Sequence, residues 1–134
     1  MKILALDSSG LVASVALLEE DNCIAEYTIN HRTETIIADI YKKKPDVLNF
    51  SCYIWNINLV LELVTELHKL LPDVPIWLGG PEVSYEVKAF LETHPEVTGI
   101  MMGEGEETFL DLCRYYVTTV DEKRADVLKE MRGI

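Results

Sequence analysis

Three features of this 134-residue chain predict an α/β three-layer sandwich on a mainly parallel sheet of five to six strands. First, a tripeptide recurs: Pro45-Asp46-Val47, Pro72-Asp73-Val74 and Pro95-Glu96-Val97 each follow a helical pattern and precede a short β-rich run. Proline cannot continue a helix and pushes its predecessor out of the α region, so each copy reads as a helix-to-strand corner. Second, the runs that follow, "VLNFSC", "PIWLG" and "VTGIMM", are almost continuously apolar, as strands covered on both faces are. Third, the segments between them carry the 3.6-residue apolar period of amphipathic helices.

The elements follow in order from residue 33. A helix over about 34–43 ends at Lys42-Lys43-Lys44, where positive charge suits the helix dipole. After the strand at 47–52, Ile57 opens a helix whose Val60, Leu61, Val64, Leu67 and Leu71 gather on one face until Pro72 stops it. A strand at 75–79, a helix over 84–92, a strand at 97–102 and a helix over 106–117 continue the alternation. A last amphipathic stretch spans 122–131.

Composition bounds the function. With 49% hydrophobic residues, 1–134 reads as a single domain with a sizeable core. The 23 acidic residues against 12 basic ones give a net charge of -11, which argues against unaided binding to a nucleic-acid backbone. Cys23, Cys52 and Cys113 fit neither a disulfide framework nor a zinc ribbon, and suit a reducing, cytoplasmic setting. The uncharged run from Ser8 to Leu18 is too short to span a bilayer, so no membrane partner is expected. The composition leaves a homo-oligomer open.

In an open parallel sheet the strand-to-helix loops emerge at the carboxyl edge, where ligands bind. Here they are "DSSG" (7–10), "SCYIWN" (51–56), "GGPEVS" (79–84) and "GEGEE" (103–107). Two are glycine-rich and a third carries Tyr53 and Trp55. Glycines in any one loop read most simply as turns; clustered at one rim, they favour a small-molecule site.

From about Thr33 to Ile134 the sequence resembles the cobalamin-binding domain that precedes the catalytic barrel in a class of radical S-adenosylmethionine enzymes. The resemblance is carried by "KPDVLNFSCYIWNI" (44–57), "LPDVPIWLGGPEVSY" (71–85) and "IMMGEGEETF" (100–109). It implies a flavodoxin- or Rossmann-like fold and cobalamin as the cofactor. The implied contacts are Ser51, Tyr53, Gly79, Gly80, Pro81, Glu82, Gly103, Glu104, Gly105 and Glu106. By this likeness Gly79 and Gly80 let backbone approach the nucleotide tail, Ser51 hydrogen-bonds it, and 103–106 close the far side. Valine at either glycine is then expected to abolish binding while costing the fold little beyond local turn strain.

The lower-ligand motif D-x-H-x-x-G is not matched, because Ser9 and Val12 stand where it needs histidine and glycine after Asp7. His31, His68 and His94 read as ordinary surface or helix-face residues, so cobalamin binding without histidine ligation is expected. The closely spaced C-x-x-x-C-x-x-C that holds a radical-enzyme cluster is also unmatched, the cysteines lying 29 and 61 residues apart.

Residues 1–32, "MKILALDSSGLVASVALLEEDNCIAEYTINHR", resemble the start of the non-catalytic, actin-like subunit of bacterial threonylcarbamoyl-adenosine tRNA modification. That likeness implies an antiparallel meander of "KILALD", "LVASVALLE" and "CIAEYTIN". A cobalamin domain would instead place a helix over 11–20, and Leu11, Val15 and Leu18 do share a helical face. Glu19 and Glu20 would oppose the dipole at that helix's C-terminus, whereas Val12, Val15 and the turn at 20–22 suit a hairpin, so strand is favoured. Together the two resemblances imply a composite chain joined near Asn30 to Thr33.

The functional expectation is a non-catalytic cobalamin-binding module with weak or lost affinity. The alternative is a protein-interaction module related to the tRNA-modification subunit. An enzyme using Asp7, Ser8 and Ser9 as a phosphate loop lacks a second such loop.

Overall fold

The computed structural model describes residues 2–7, 13–19, 22–29, 32–103 and 105–118. Three strands come first: β1 (Lys2–Asp7), β2 (Ala13–Glu19) and β3 (Asn22–Ile29). Then helix and strand alternate through α1 (Thr33–Lys43), β4 (Val47–Ser51), α2 (Ile57–Leu70), β5 (Ile76–Gly79), α3 (Val87–Thr93), β6 (Gly99–Met101) and α4 (Gly105–Thr118). They form one six-stranded sheet in the order β3-β2-β1-β4-β5-β6.

The parallel part is four strands, β1, β4, β5 and β6, which is narrower than a mainly parallel sheet of five or six. Strands β1, β2 and β3 pair antiparallel as the expected meander, with a register shift between Leu17 and Leu18. Residues 13–19 are therefore strand rather than helix. Of the expected turn at 20–22, Asn22 instead opens β3, while residues 20–21 and the expected terminal helix at 122–131 lie outside the described residues.

Proline corners behave as their chemistry requires. Helix α1 runs out at Lys43, and Lys44 takes a left-handed conformation with φ 50° just before Pro45. The next corner is tied by Thr98, whose N–H donates to the Ile76 carbonyl at 2.7 Å while its hydroxyl accepts the Ile76 N–H at 2.9 Å. Helix α3 departs from expectation, beginning at Val87 rather than Ser84. The Ser84 hydroxyl donates back to the Gly80 carbonyl at 2.7 Å, and Glu86 sits at φ 49°, so 80–86 is a folded loop.

Alternation along the strands separates two faces. Leu48, Phe50, Ile76, Leu78 and Ile100 point into a core with Ile36 and Ile40 of α1 and Val60, Leu63, Val64 and Leu67 of α2. Val87, Phe90 and Leu91 of α3 border the same core. Val47, Trp77 and Met101 point the other way and pack with Leu112, Tyr115 and Tyr116 of α4.

On this second face Trp77 decides what space remains. Its indole covers Gly99: a Cβ added there would fall 2.4 Å from the ring. Its Nε1 donates to the Tyr116 hydroxyl at 2.9 Å, anchoring the ring toward α4. The largest buried side chain of β5 is thus drawn to the β6 side.

Gly99→Ala is expected to lower unfolding stability by about 1–3 kcal/mol, because neither a hydrogen-bonded indole nor the strand can yield. Urea denaturation measures it; a variant as stable as wild type would show that the ring is free to move.

Candidate binding site at the carboxyl ends of the parallel strands

The strand order turns back between β1 and β4, since β2 and β3 lie on one side and β5 and β6 on the other. Such a reversal leaves a crevice outside the carboxyl ends of the two strands. Asp7 ends β1 there and Ser51 ends β4. Ser8 and Ser9 lie outside the described residues.

The loop after β4 is pinned by Asn56, which the sequence reading passed over. Its Nδ2 donates to the Ser51 carbonyl at 2.8 Å, and its Oδ1 accepts the Tyr53 N–H at 2.7 Å. The Tyr53 carbonyl in turn accepts the N–H groups of Asn56 and Ile57, both at 3.0 Å, launching α2. Asn56 is 4% exposed, so these bonds are sheltered from water. An Asn immediately before an apolar-periodic helix was the signal; here it binds backward into its loop rather than capping forward.

That loop holds Tyr53 and Trp55 stacked, centroids 4.9 Å apart and planes 4° from parallel. The outer ring, Trp55, is 59% exposed; Ile54, Tyr85 and Met102 are also exposed along this rim. Pro81 and Glu82 lie exposed in the next loop.

The glycine pair divides into two roles. Gly80, at φ 105°, lies so close to the β4 loop that a Cβ would sit 2.5 Å from the Cys52 carbonyl oxygen. The Cys52 N–H donates to the Gly79 carbonyl at 2.7 Å, and the Glu82 N–H donates to the Cys52 carbonyl at 3.4 Å. The protein's own backbone therefore accounts for the bare position 80, and a side chain there cannot be as cheap for the fold as the sequence suggested. Gly79 faces the α4 side, where its missing Cβ meets only Met101, with Cε 3.2 Å away.

Ser51, Gly79 and Met101 are register neighbours across β4, β5 and β6. Gly79 is buried between the serine and the methionine, and the Met101 methyl covers it. One pleat deeper lie Asn49, Trp77 and Gly99. Trp77 leans over Gly99, away from Asn49. Asn49 is 9% exposed and its Oδ1 has no hydrogen-bond partner among the described residues. Such an unpaired buried acceptor costs about 1–3 kcal/mol, and no described residue offsets it.

Gly103, at φ 78°, and Gly105 have open space where a Cβ would project, so the third loop leaves the rim uncrowded. Glu104 lies outside the described residues, as does the side chain of Glu106. The structure thus brings Ser51, Tyr53, Gly79, Gly80, Pro81, Glu82, Gly103 and Gly105 to one edge.

Thiol chemistry does not enter. Burial pushes the Cys52 thiol up to about 12, opposed by a hydrogen bond with the Gly79 backbone and reinforced by the Glu82 charge. Burial likewise raises Cys113 to about 11. Neither is a thiolate near neutral pH. Among the described residues no three His, Cys, Asp or Glu side chains converge as a metal centre.

His68 lies in the last turn of α2 and His94 just beyond α3, where the chain has returned to the amino edge of the parallel strands. His94 Nδ1 is 3.4 Å from Glu96 Oε1, and its ring rests against Phe90. His31 lies outside the described residues. No helix among the described residues is long and apolar enough to cross a membrane.

Residues 9–113 match the model of the B12 binding domain family, more than half the chain, and the chain belongs to that family. The match crosses 30–33, where a composite join was expected. Over 69 residues the chain is 38% identical to the cobalamin-dependent radical SAM methyltransferase TokK of Streptomyces tokunonensis. Over 68 residues it is 35% identical to the 2-(S-pantetheinyl)-carbapenam-3-carboxylate methyltransferase of Streptantibioticus cattleyicolor. These matches cover 52% and 51% of this chain and 10% of each relative. Among solved structures, the N-terminal domain of a hypothetical Thermotoga maritima protein aligns with a TM-score of 0.45 at 21% identity, over 64% of this chain and 67% of that one.

The two glycines are expected to respond differently to alanine. Gly80→Ala loses about 2 kcal/mol or more of unfolding stability from its left-handed φ and the contact with the Cys52 carbonyl, whereas Gly79→Ala loses under about 1 kcal/mol as the Met101 methyl swings aside. Equal losses in chemical denaturation would contradict the division of roles.

Proposed function

We propose that this B12-binding domain holds cobalamin at the carboxyl rim and performs no chemistry alone. The observation that supports this most is the buried, unsatisfied Oδ1 of Asn49, one pleat below Ser51 and beside the strand that carries Gly79. That place suits a slender group with polar edges, such as the nucleotide tail of cobalamin. Ser51 would hydrogen-bond that tail, and Gly79 would leave it room. The Tyr53–Trp55 stack offers a flat apolar face at the rim. Bound cobalamin would supply a cobalt centre for group transfer; this chain's residues seat its tail and keep water from it.

Both histidines in the described part of the rim-bearing helices lie at the opposite edge, which favours binding without protein imidazole on cobalt. Both relatives are named as methyltransferases. The chain spans about a tenth of their length, so the reading is that of a cofactor-holding domain whose methyl transfer would need a catalytic domain. Single-domain organisation over 1–134 and a cytoplasmic setting belong to the same proposal.

The second reading, a composite interaction module, gains no support from the comparisons. The meander β1-β2-β3 is the arrangement implied by likeness to the tRNA-modification subunit. The family match that crosses 30–33 weighs toward one cobalamin-type domain instead of a composite interaction module.

The test is a titration with hydroxocobalamin followed by gel filtration, in wild type and Gly79→Val. Wild type is expected to co-elute with cobalamin and the variant to lose it while keeping a cooperative unfolding transition. No retention by wild type at high micromolar cobalamin would overturn the proposal. Formation of 5'-deoxyadenosine from S-adenosylmethionine by the isolated chain would overturn its non-catalytic part.

A further inference from the structure

Asn49 is the one polar residue inside the otherwise apolar run Val47 to Phe50. Parallel strands buried on both faces favour branched apolar side chains, so a carboxamide here is locally unfavourable. Nothing described repays it: Oδ1 is buried without a partner, and the residue is 9% exposed. The polar group on the adjoining strand is already committed, since Trp77 Nε1 donates to Tyr116. Because side chains alternate, Asn49 and Ser51 share the α4 face, about 6–7 Å apart along the strand.

We infer that Asn49 is a specificity-determining residue for the nucleotide tail of the corrinoid, contacting a polar atom of that tail one pleat deeper than Ser51. The inference rests on the cobalamin reading above and adds a second, inner polar contact to it. A carboxamide suits the place because it can present Oδ1 to a ribose hydroxyl or, turned over, Nδ2 to a base nitrogen. In the upper row the neighbour Gly79 has no side chain of its own and is covered only by the flexible end of Met101, and in the inner row the Trp77 indole lies over Gly99.

The experiment compares wild type, Asn49→Leu and Asn49→Ala with three corrinoids: cobalamin, cobinamide, which lacks the nucleotide tail, and a cobamide with a phenolic base, which keeps the ribose but has no base nitrogen. Asn49→Leu is expected to weaken cobalamin about tenfold, as loss of one buried hydrogen bond does, and to leave cobinamide within twofold. If the loss persists with the phenolic cobamide the contact is the ribose, and if it vanishes the contact is the base nitrogen; both support the inference. Thermal unfolding without ligand is the structural control. An apolar isostere of an unpaired acceptor should leave the melting temperature unchanged or raised.

A lowered melting temperature with equal losses for cobalamin and cobinamide, in both variants, would make Asn49 a structural residue and overturn the inference. Unchanged cobalamin affinity in Asn49→Leu would overturn it alone. Failure of wild type to bind any of the three would overturn the cobalamin reading together with it.

Discussion

The contact between two loop backbones at Cys52 and Gly80 sets the shape of the rim. Because position 80 carries no Cβ, the β5 loop can lie on the β4 loop closely enough for the Cys52 N–H to reach the Gly79 carbonyl and the Glu82 N–H to reach the Cys52 carbonyl. A left-handed φ of 105° is the backbone geometry that makes this approach, and only glycine adopts it without strain. Asn56 then ties the β4 loop from the other side. Everything offered to a ligand, from the Tyr53–Trp55 stack to the Ser51 row, hangs on these two loops holding their distance.

A second asymmetry follows from where bulk is placed on the α4 face. Trp77 is the largest side chain of the buried set, yet it takes its space over Gly99 and donates its hydrogen bond to Tyr116. Had position 99 carried a side chain, the indole would have been forced back over β4, covering Asn49. Two glycines in adjacent strands thus differ in what covers them: the anchored Trp77 indole lies over Gly99, and the flexible end of Met101 over Gly79. A buried acceptor left unsatisfied is costly for a protein to maintain without a ligand, which gives Asn49 functional weight.

Much of this was legible in the sequence. The Pro-acid-Val corners located β4, β5 and β6 because proline's ring excludes helix on purely local grounds. The meander was legible in the acidic pair at 19–20, which no helix C-terminus favours. The start of α3 was placed at Ser84, three residues early, because the Ser84 hydroxyl turns back to the Gly80 carbonyl, a non-helical alternative the sequence could not rank. The glycine pair was read as one feature; its division depends on which face each position takes, and only the register with Ser51 and Met101 decides that. Asn49 and Asn56 were both visible as polar residues in apolar context, but their partners, or lack of one, exist only in three dimensions.

The central claim is that the cofactor's tail lies beside Gly79 on the α4 face. Methyl-labelled methionine NMR tests it directly, because the Met101 methyl stands 3.2 Å from the missing Cβ while Met102 is exposed beside it in sequence. An aromatic base seated beside Gly79 would displace the Met101 methyl and shift it strongly through its ring current when cobalamin is added, with no comparable shift on adding cobinamide. A Met101 signal that stays in place while cobalamin is demonstrably bound, or that moves equally with cobinamide, would contradict the account.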